Sequence, residues 1–180
     1  MNDVLIVSIL SFWFSDATEP LWFNSTPEFD SQLQQQYEQV WEQAASGDLD
    51  DWKNSADGAL ALVIILDQFP LNMFRNQAKG YSTEAKAREI AQYAIKNNLT
   101  ENMSKSQKAF LYLPFMHSED INDQQRAIDL YDQAGLEGNA RYARHHYGVI
   151  ERFGRFPHRN EALGRVSTQE ELDYLKTANW

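Results

Sequence analysis

The chain contains eight consecutive apolar residues, Ala59-Leu60-Ala61-Leu62-Val63-Ile64-Ile65-Leu66. A helix made of these residues is apolar on every side, and such a helix normally lies at the centre of a domain with other helices packed around it. Ser55 is placed to cap its start. Pro70 is expected to end or kink it, because proline pushes the preceding Phe69 away from helical backbone angles. The stretch therefore predicts a helical domain built around one buried helix.

Helical spacing recurs along the rest of the chain, and no segment shows the alternation that is typical of a strand. Thr26 followed by Pro27 predicts the N-cap and first residue of a helix that Gly47 ends. The other predicted helices cover residues 4–14, 83–97, 105–117, 121–134, 139–154 and 168–178. Ser167 with Glu170 is the predicted capping pair of the last one. We therefore predict a single all-α domain over residues 1–180, an irregular stack of about eight to nine helices arranged as antiparallel hairpins.

A short motif recurs within the predicted stack. The pattern Arg-x-Ile-x-x-Tyr occupies residues 88–93 and again residues 126–131, an offset of 38 residues. That offset lies in the range of helical-hairpin repeats. The helix pairs 83–97/105–117 and 121–134/139–154 are therefore predicted to stack as two repeats of a tetratricopeptide-like arrangement.

Composition narrows the classes of function. The net charge is −10 at pH 7, whereas nucleic-acid binding needs a basic surface, so we predict no nucleic-acid partner. The chain has no cysteine, which excludes disulfide bonds, thiolate metal ligands and cysteine nucleophiles. The largely apolar run at residues 4–10 is too short to span a bilayer, and Asp3 stands where a signal peptide has basic residues. We therefore predict a cytoplasmic protein with no membrane partner.

Charge is unevenly distributed along the chain. Residues 141–165 hold six arginines and three of the four histidines, and their only acids are Glu151 and Glu161, which leaves a segment charge of about +4. Residues 1–60 hold eleven acidic residues and one basic residue, Lys53. A cluster of arginines usually meets an anion. That anion could be the protein's own carboxylates or a ligand.

The first candidate site is Arg152-Phe153-Gly154-Arg155-Phe156-Pro157-His158-Arg159-Asn160. On a helical wheel, His145 and Arg152 lie along one flank of the apolar face of the preceding helix, where a cleft would open. Arginine can bind a carboxylate or phosphate through two hydrogen bonds, and a nearby histidine can exchange a proton near neutral pH. The alternative is internal ion pairing of these arginines with one of three carboxylates: Asp67, Glu119 and Asp120.

The second candidate is His117-Ser118-Glu119-Asp120, at the junction of two predicted helices. Its histidine and acids could act as metal ligands or as an acid–base pair. The alternative is helix-end chemistry, in which His117 lies near a C-terminus and Asp120 caps the next helix. The spacing matches no specific metal motif, and adjacent His145 and His146 point about 100° apart on a helix, so we predict no metal site.

The third candidate is the segment from Asp67 to Arg75. A carboxylate at the end of an apolar helix needs a partner, because an unpaired charge is costly to bury. Arg75 or one of the later arginines could be that partner, either within the protein or together with a ligand.

Several long motifs occur along the chain: Phe12-Trp13-Phe14, Trp22-Phe23, Leu66-Asp67-Gln68-Phe69-Pro70, Asn72-Met73-Phe74-Arg75, Phe110-Leu111-Tyr112-x-Pro114-Phe115-Met116-His117-Ser118-Glu119-Asp120, Arg152 to Asn160, and Leu163-Gly164-Arg165. Together they resemble the family catalogued as domain of unknown function 924 over nearly the whole chain. The resemblance implies an all-α fold similar to tetratricopeptide-like helical stacks, found in bacterial and some eukaryotic proteins. It brings no established activity or cofactor. The family usually has arginine after Gln-Phe-Pro, where this chain has Leu71, so an anion site that uses that arginine would be altered here.

Carrying these motifs over selects twelve candidate ligand-binding residues: Asp67, Gln68, Arg75, His117, Glu119, Asp120, His145, Arg152, Arg155, His158, Arg159 and Asn160. Our first hypothesis is a binding protein whose Arg/His groove takes an anionic small molecule or an acidic peptide, without a cofactor. It requires a concave surface and exposed guanidinium groups, but no histidine–carboxylate pair.

The alternative is an enzyme that uses the same groove. His158 or His145 would exchange the proton, Glu119 or Asp120 would orient that histidine, and the arginines would stabilise developing negative charge. An enzyme requires a water-accessible concave site that holds a histidine within hydrogen-bond reach of a carboxylate, and at least one group with a perturbed pKa. A third possibility is that the arginines only join the C-terminal helices. In that case every guanidinium contacts a carboxylate or carbonyl oxygen.

Overall fold

The computed structural model describes residues 2–178. Its α-helices are α1 (Asn2–Trp13), α2 (Pro27–Ser46), α3 (Ala56–Val63), α4 (Phe69–Met73), α5 (Glu84–Lys96), α6 (Lys105–Met116), α7 (Ile121–Gln133), α8 (Glu137–Phe153) and α9 (Gln169–Leu175). A π-helical turn joins α3 to α4, so that Ala56–Met73 is one continuous rod. No strand occurs among residues 2–178. The predicted all-α class is confirmed.

The helix ends lie largely where capping chemistry predicts them. The Thr26 hydroxyl accepts a hydrogen bond from the backbone N–H of Phe29 at the start of α2, and Gly47 ends that helix with a φ of 100°. Ser104 forms the capping box of α6 with Gln107. Because these signals act within one helical turn, they could be read from the sequence.

Several predicted starts are wrong by one or two residues, and α1, for example, begins at Asn2 rather than at residue 4. α8 begins at Glu137 rather than at residue 139. The last helix is capped by Thr168, whose hydroxyl accepts from the N–H of Glu171. The Ser167 hydroxyl does not cap that helix because it accepts a hydrogen bond from the Asn160 side chain. The capping pair therefore lies one residue later than predicted, because a tertiary contact occupies the Ser167 hydroxyl.

The rod does not end at Pro70, and Phe69 keeps helical angles of φ −60° and ψ −46°. Proline has no N–H, so the carbonyl oxygen of Leu66, four residues earlier, lacks its usual helical partner. Thr83 supplies one, because its hydroxyl donates to that oxygen at 2.6 Å. The Trp41 indole N–H in turn donates to the Thr83 hydroxyl at 3.1 Å. The prediction that Pro70 displaces Phe69 is therefore wrong, because the π turn and Thr83 accommodate the proline ring.

Replacing Thr83 by valine is expected to lower the free energy of unfolding by about 1–3 kcal/mol. The substitution keeps the side-chain shape but leaves the Leu66 oxygen and the Trp41 indole without this partner in a buried position. Ser82→Ala is the matched control, because Ser82 is exposed and contacts only the nearby Lys79 carbonyl. Urea unfolding of both variants measures the difference. Equal stabilities would contradict the role assigned to Thr83.

The rod forms the centre of the core. All eight residues of Ala59–Leu66 have an exposed fraction of 0%. α1, α5 and α6 pack against α3, α2 packs against α4, and the later helices pack in chain order, α6 on α7 and α7 on α8. Ala56–Met73 is long and apolar enough to cross a membrane, but 83% of it is buried inside the protein, as in a core helix. The tetratricopeptide-like geometry and the cytoplasmic location stay predictions.

Candidate functional site

Four charged residues from distant parts of the chain meet beside the rod. Asp67 belongs to the π turn, Glu84 begins α5, His117 caps the end of α6, and Arg159 ends a 3-10 turn at Pro157–Arg159. Each lies at a helix end or irregular turn, which brings four elements together at one point. We call these four residues the buried polar centre. Asp67 is fully buried, and the side chains of the other three are at most 16% exposed.

Asp67 and His117 form the first pair of this centre. The Nδ1 atom of His117 lies 3.0 Å from the Asp67 carboxylate. The Gln68 side-chain amide donates to Oδ2 of the same carboxylate at 2.6 Å. Burial by itself lowers the pKa of His117, but the Asp67 charge and hydrogen bond, with help from Glu84, outweigh burial and raise it. The buried carboxylate therefore holds a histidine that retains its proton more strongly than usual.

Arg159 and Glu84 form the second pair. Nη1 of Arg159 donates to Oε2 of Glu84 at 2.9 Å. The guanidinium carbon lies 4.7 Å from the centre of the Tyr81 ring and 4.8 Å from that of Phe156, so both rings pack against the cation. Burial raises the pKa of Glu84, although the Arg159 charge opposes this shift. Two buried atoms of the pair, Glu84 Oε1 and Arg159 Nε, have no hydrogen-bond partner within residues 2–178.

The two pairs are close enough to act as one group. Asp67, Glu84 and His117 each offer an atom of a metal-binding type, and these atoms lie within 4.8 Å of one another. In this structure, however, Arg159 and His117 themselves supply positive charge to the two carboxylates. The geometry is therefore that of a buried network in which two carboxylates pair with a histidine and an arginine.

Two further histidines lie beside the centre. The rings of His146 and His158 pack against Phe156, with centroid distances of 5.5 and 5.6 Å. Burial, together with the nearby Arg159 charge, lowers the pKa of His146 to about 4 and that of His158 to about 3. His158 therefore exchanges its proton far below neutral pH, which does not suit the acid–base role predicted for it. His145 is exposed on α8.

Acid should destabilise the protein through His158. The ordinary pKa of a histidine is 6.5, and burial lowers that of His158 to about 3 in the folded protein. Between these two pH values the unfolded chain therefore binds a proton that the folded chain does not. The free energy of unfolding should fall as the pH falls from 6.5 to 4.5, by up to ~1.4 kcal/mol per pH unit for this group. His158→Gln should fall less steeply. His145→Gln, an exposed neighbour, should follow the wild type, and thermal melts across this range measure all three. Identical slopes for His158→Gln and wild type would contradict the assignment.

Four of the five remaining arginines of residues 141–165 pair with the protein's own acids, and one of these pairs joins Arg144 to Asp132. Arg155 donates to both carboxylate oxygens of Glu171 at 2.6 and 2.8 Å. Arg165 donates to Glu119 at 2.7 and 3.0 Å. Arg152 meets Glu170 at the surface. The basic segment therefore largely joins α9 and the α6–α7 junction. The expected pairing of Arg152, Arg155 and Arg159 with Asp67, Glu119 or Asp120 is wrong. Those arginines pair with Glu170, Glu171 and Glu84 respectively, and Glu119 pairs with Arg165.

The twelve candidates do not form one groove. The structure brings four of them together: Asp67, Gln68, His117 and Arg159. Arg75 pairs instead with Asp30 at the surface, so it is not the partner of Asp67. Asp120 caps α7 by accepting from the N–H of Asn122. The others belong to the contacts of the basic segment and of α8: Glu119, His145, Arg152, Arg155, His158 and Asn160.

Sequence reasoning missed Glu84 and Tyr81. A glutamate in the first turn of a helix is ordinary, because it suits the helix dipole. Nothing in the local pattern distinguishes Glu84 from such a residue. Its partner Arg159 is 75 positions away, and only the folded chain brings the two together.

Known proteins resemble the chain in sequence and in fold. A model of the family described as "Bacterial protein of unknown function (DUF924)" matches residues 9–179. The solved structure of ATU0120, a protein of unknown function from Agrobacterium tumefaciens, is 40% identical, with a TM-score of 0.92 over 99% of this chain and 100% of that one. None of the curated proteins matches the chain.

Proposed function

The chain belongs to the DUF924 family, and we propose, from the geometry of its buried polar centre, that it is an enzyme in which His117 transfers a proton. The observation that carries this proposal is the 3.0 Å contact between His117 Nδ1 and the Asp67 carboxylate. A proton on Nδ1 points at Asp67, which leaves Nε2 as the atom that exchanges a proton with a substrate. Asp67 orients the ring and stabilises its charged form.

Glu84 is the second acid–base group of the proposed mechanism. Burial raises its pKa, and its Oε1 atom has no partner within the described residues. The neighbouring carboxylate of Asp67 disfavours a second negative charge nearby. Two titrating groups in different environments can serve as acid and base in one reaction. His117 and Glu84 then transfer protons, and Arg159 stabilises negative charge that develops on the substrate.

The proposed substrate is a small molecule with a carboxylate or phosphate group. Burial and the neighbouring Glu84 charge raise the pKa of the Tyr81 hydroxyl, whereas the charges of Arg159, Arg165 and Arg75 each lower it. Three positively charged guanidinium groups therefore lower the pKa of this half-buried tyrosine, and the guanidinium of Arg159 packs against its ring. A negatively charged group is attracted to this position.

The binding function that we placed first from the sequence is the second candidate. Arg75 and Arg152 are each 52% exposed, which an acidic peptide would need. Both already contact a carboxylate, Asp30 and Glu170 respectively. The buried histidine–carboxylate pair favours acid–base chemistry over simple binding.

The first test needs no substrate. Asp67→Asn removes the charge that raises the pKa of His117, so this pKa should fall relative to wild type. Titration of the histidine ring signals by NMR measures it, and His117→Gln assigns the signal. An unchanged pKa in a folded Asp67→Asn variant would contradict the pairing on which the proposal depends.

The second test looks for the reaction. Wild-type protein is incubated in D₂O with pools of small carboxylic acids and phosphate esters, and NMR detects hydrogen exchange or product formation. We expect turnover of at least one compound, with a rate about 10²–10⁴-fold lower in His117→Gln. His145→Gln is the matched control and should retain the wild-type rate. Equal rates in wild type and His117→Gln would refute the assignment. Binding of a compound without any turnover would favour the second candidate function.

A further inference from the structure

A pocket lies outside the buried polar centre and shares none of its residues. It has a volume of about 230 Å³ and opens between the segment that follows α1 and the first turns of α6. Its lining includes Trp22, Phe23, Phe110 and Leu136, with Lys105 and Asn139 also contributing. Apolar walls with a few polar groups are typical of small-molecule sites. A pocket this small suits a ligand with a single ring.

The aromatic wall of this pocket is held in place by the fold. Trp22 donates its indole N–H to the carbonyl oxygen of Trp13 at 2.8 Å. Its ring stands at 75° to that of Phe110, with a centroid distance of 4.6 Å. The Phe23 ring lies nearly parallel to the Phe110 ring, with 4° between the ring planes and 6.1 Å between the centroids. Phe23 is nevertheless 75% exposed. The site therefore presents an ordered but uncovered aromatic face, which favours a flat ring as its ligand.

A positive charge borders the same pocket. Lys105 is the first residue of α6, and its ammonium group donates to the Gly135 carbonyl oxygen at 3.3 Å. Lys105 forms no ion pair with any residue in the part of the chain that the structure describes. The N-terminal end of the twelve-residue helix α6 adds positive dipole potential at this position. The charge is complementary to an anion.

We propose that this pocket binds a small aromatic carboxylate. The ring lies against the exposed face of Phe23, and the carboxylate pairs with Lys105. The hydroxyl of Ser106 and the amide of Asn139, which also line the pocket, are available as hydrogen-bond donors. This site is independent of the proposed proton transfer at His117, because neither depends on the other's residues.

Titration with phenylacetate tests the proposal. Two-dimensional ¹H–¹⁵N NMR follows the Trp22 indole N–H, which Trp22→Phe assigns. We expect a Kd of about 1 mM or tighter, in line with the affinity of small ligands per atom. 2-Phenylethanol has a similar ring but no charge and should bind about fivefold more weakly, the effect of one exposed ion pair.

Two variants separate the contributions of the ring and the charge. Phe23→Ala should weaken phenylacetate binding about tenfold or more, and this exposed side chain is not needed for folding. Lys105→Gln should reduce phenylacetate to the affinity of 2-phenylethanol. Lys108→Gln, on the same helix but outside the pocket lining, should bind like wild type. An absence of shifts at ~10 mM phenylacetate, about ten times the expected Kd, would overturn the proposal. Unchanged binding by Phe23→Ala, or equal binding of the acid and the alcohol, would also overturn it.

Discussion

Arg159→Ala is expected to lower the free energy of unfolding by about 3–5 kcal/mol, because it leaves the Glu84 carboxylate buried without its partner. The side chains of Arg159 and Glu84 are 7% and 11% exposed, so water cannot readily replace the lost contact. In a domain of this size the loss corresponds to a fall in Tm of roughly 6–20 °C. Chemical unfolding at pH 7 and thermal melting measure it.

Arg152→Ala is the matched control for this prediction. Arg152 also pairs with a glutamate, Glu170, but its side chain is 52% exposed and that of Glu170 is 63% exposed. Surface pairs of this kind contribute about 0–1 kcal/mol. The difference between the stability losses of the two variants therefore measures the effect of burying an ion pair.

A second substitution tests whether the unpaired, buried Glu84 carboxylate causes the loss of stability in Arg159→Ala. Glu84→Gln in the Arg159→Ala background removes the unpaired carboxylate, so the double variant should be more stable than Arg159→Ala alone. The loss in the single variant should also shrink as the pH falls towards 4.5, because the raised pKa of Glu84 lets the folded protein protonate this side chain, and a neutral side chain no longer needs a charged partner. A loss below about 1 kcal/mol in Arg159→Ala would show that this pair does not hold the centre together.

Gly58→Ala is expected to destabilise the protein by more than about 3 kcal/mol or to prevent folding. Gly58 lies in the first turns of α3, and a Cβ atom built there lies 2.1 Å from the backbone carbonyl oxygen of Trp52 and 2.9 Å from its carbonyl carbon. A backbone atom cannot rotate away as a side chain can. The 3-10 turn Asp50–Asn54 would have to move away from the rod, which would disturb the buried Trp52.

Gly148→Ala is expected to have the opposite effect on stability. Gly148 lies inside α8, and no atom lies within 4 Å of a Cβ built on it. The same substitution should therefore stabilise the protein by about 0.5–1 kcal/mol, because alanine has the higher helix propensity. Urea unfolding of both variants, with circular dichroism to establish that the helices form, measures the two effects. A Gly58→Ala variant as stable as wild type would mean that the rod and the turn are not packed as closely as in this structure.

The departures from the predictions have a common physical cause in contacts between distant residues. Pro70 was expected to disturb the backbone at Phe69, but Thr83 supplies the donor that the Leu66 oxygen needs, and the helix continues. Ser167 was expected to cap α9, but Asn160 binds its hydroxyl. In both cases the local preference was real, and a tertiary hydrogen bond outweighed it.

The sequence by itself determined the all-α class, the central position of residues 59–66 and most helix ends. These features depend on periodicity and capping, which act over a few residues. Only the tertiary structure decided which acid each basic group meets. Asp67 and His117 are 50 positions apart, and Glu84 and Arg159 are 75 apart, so no local pattern specifies either pair. Charged groups attract without regard to sequence order, and the packing of helices around the rod selects the partners that are buried together.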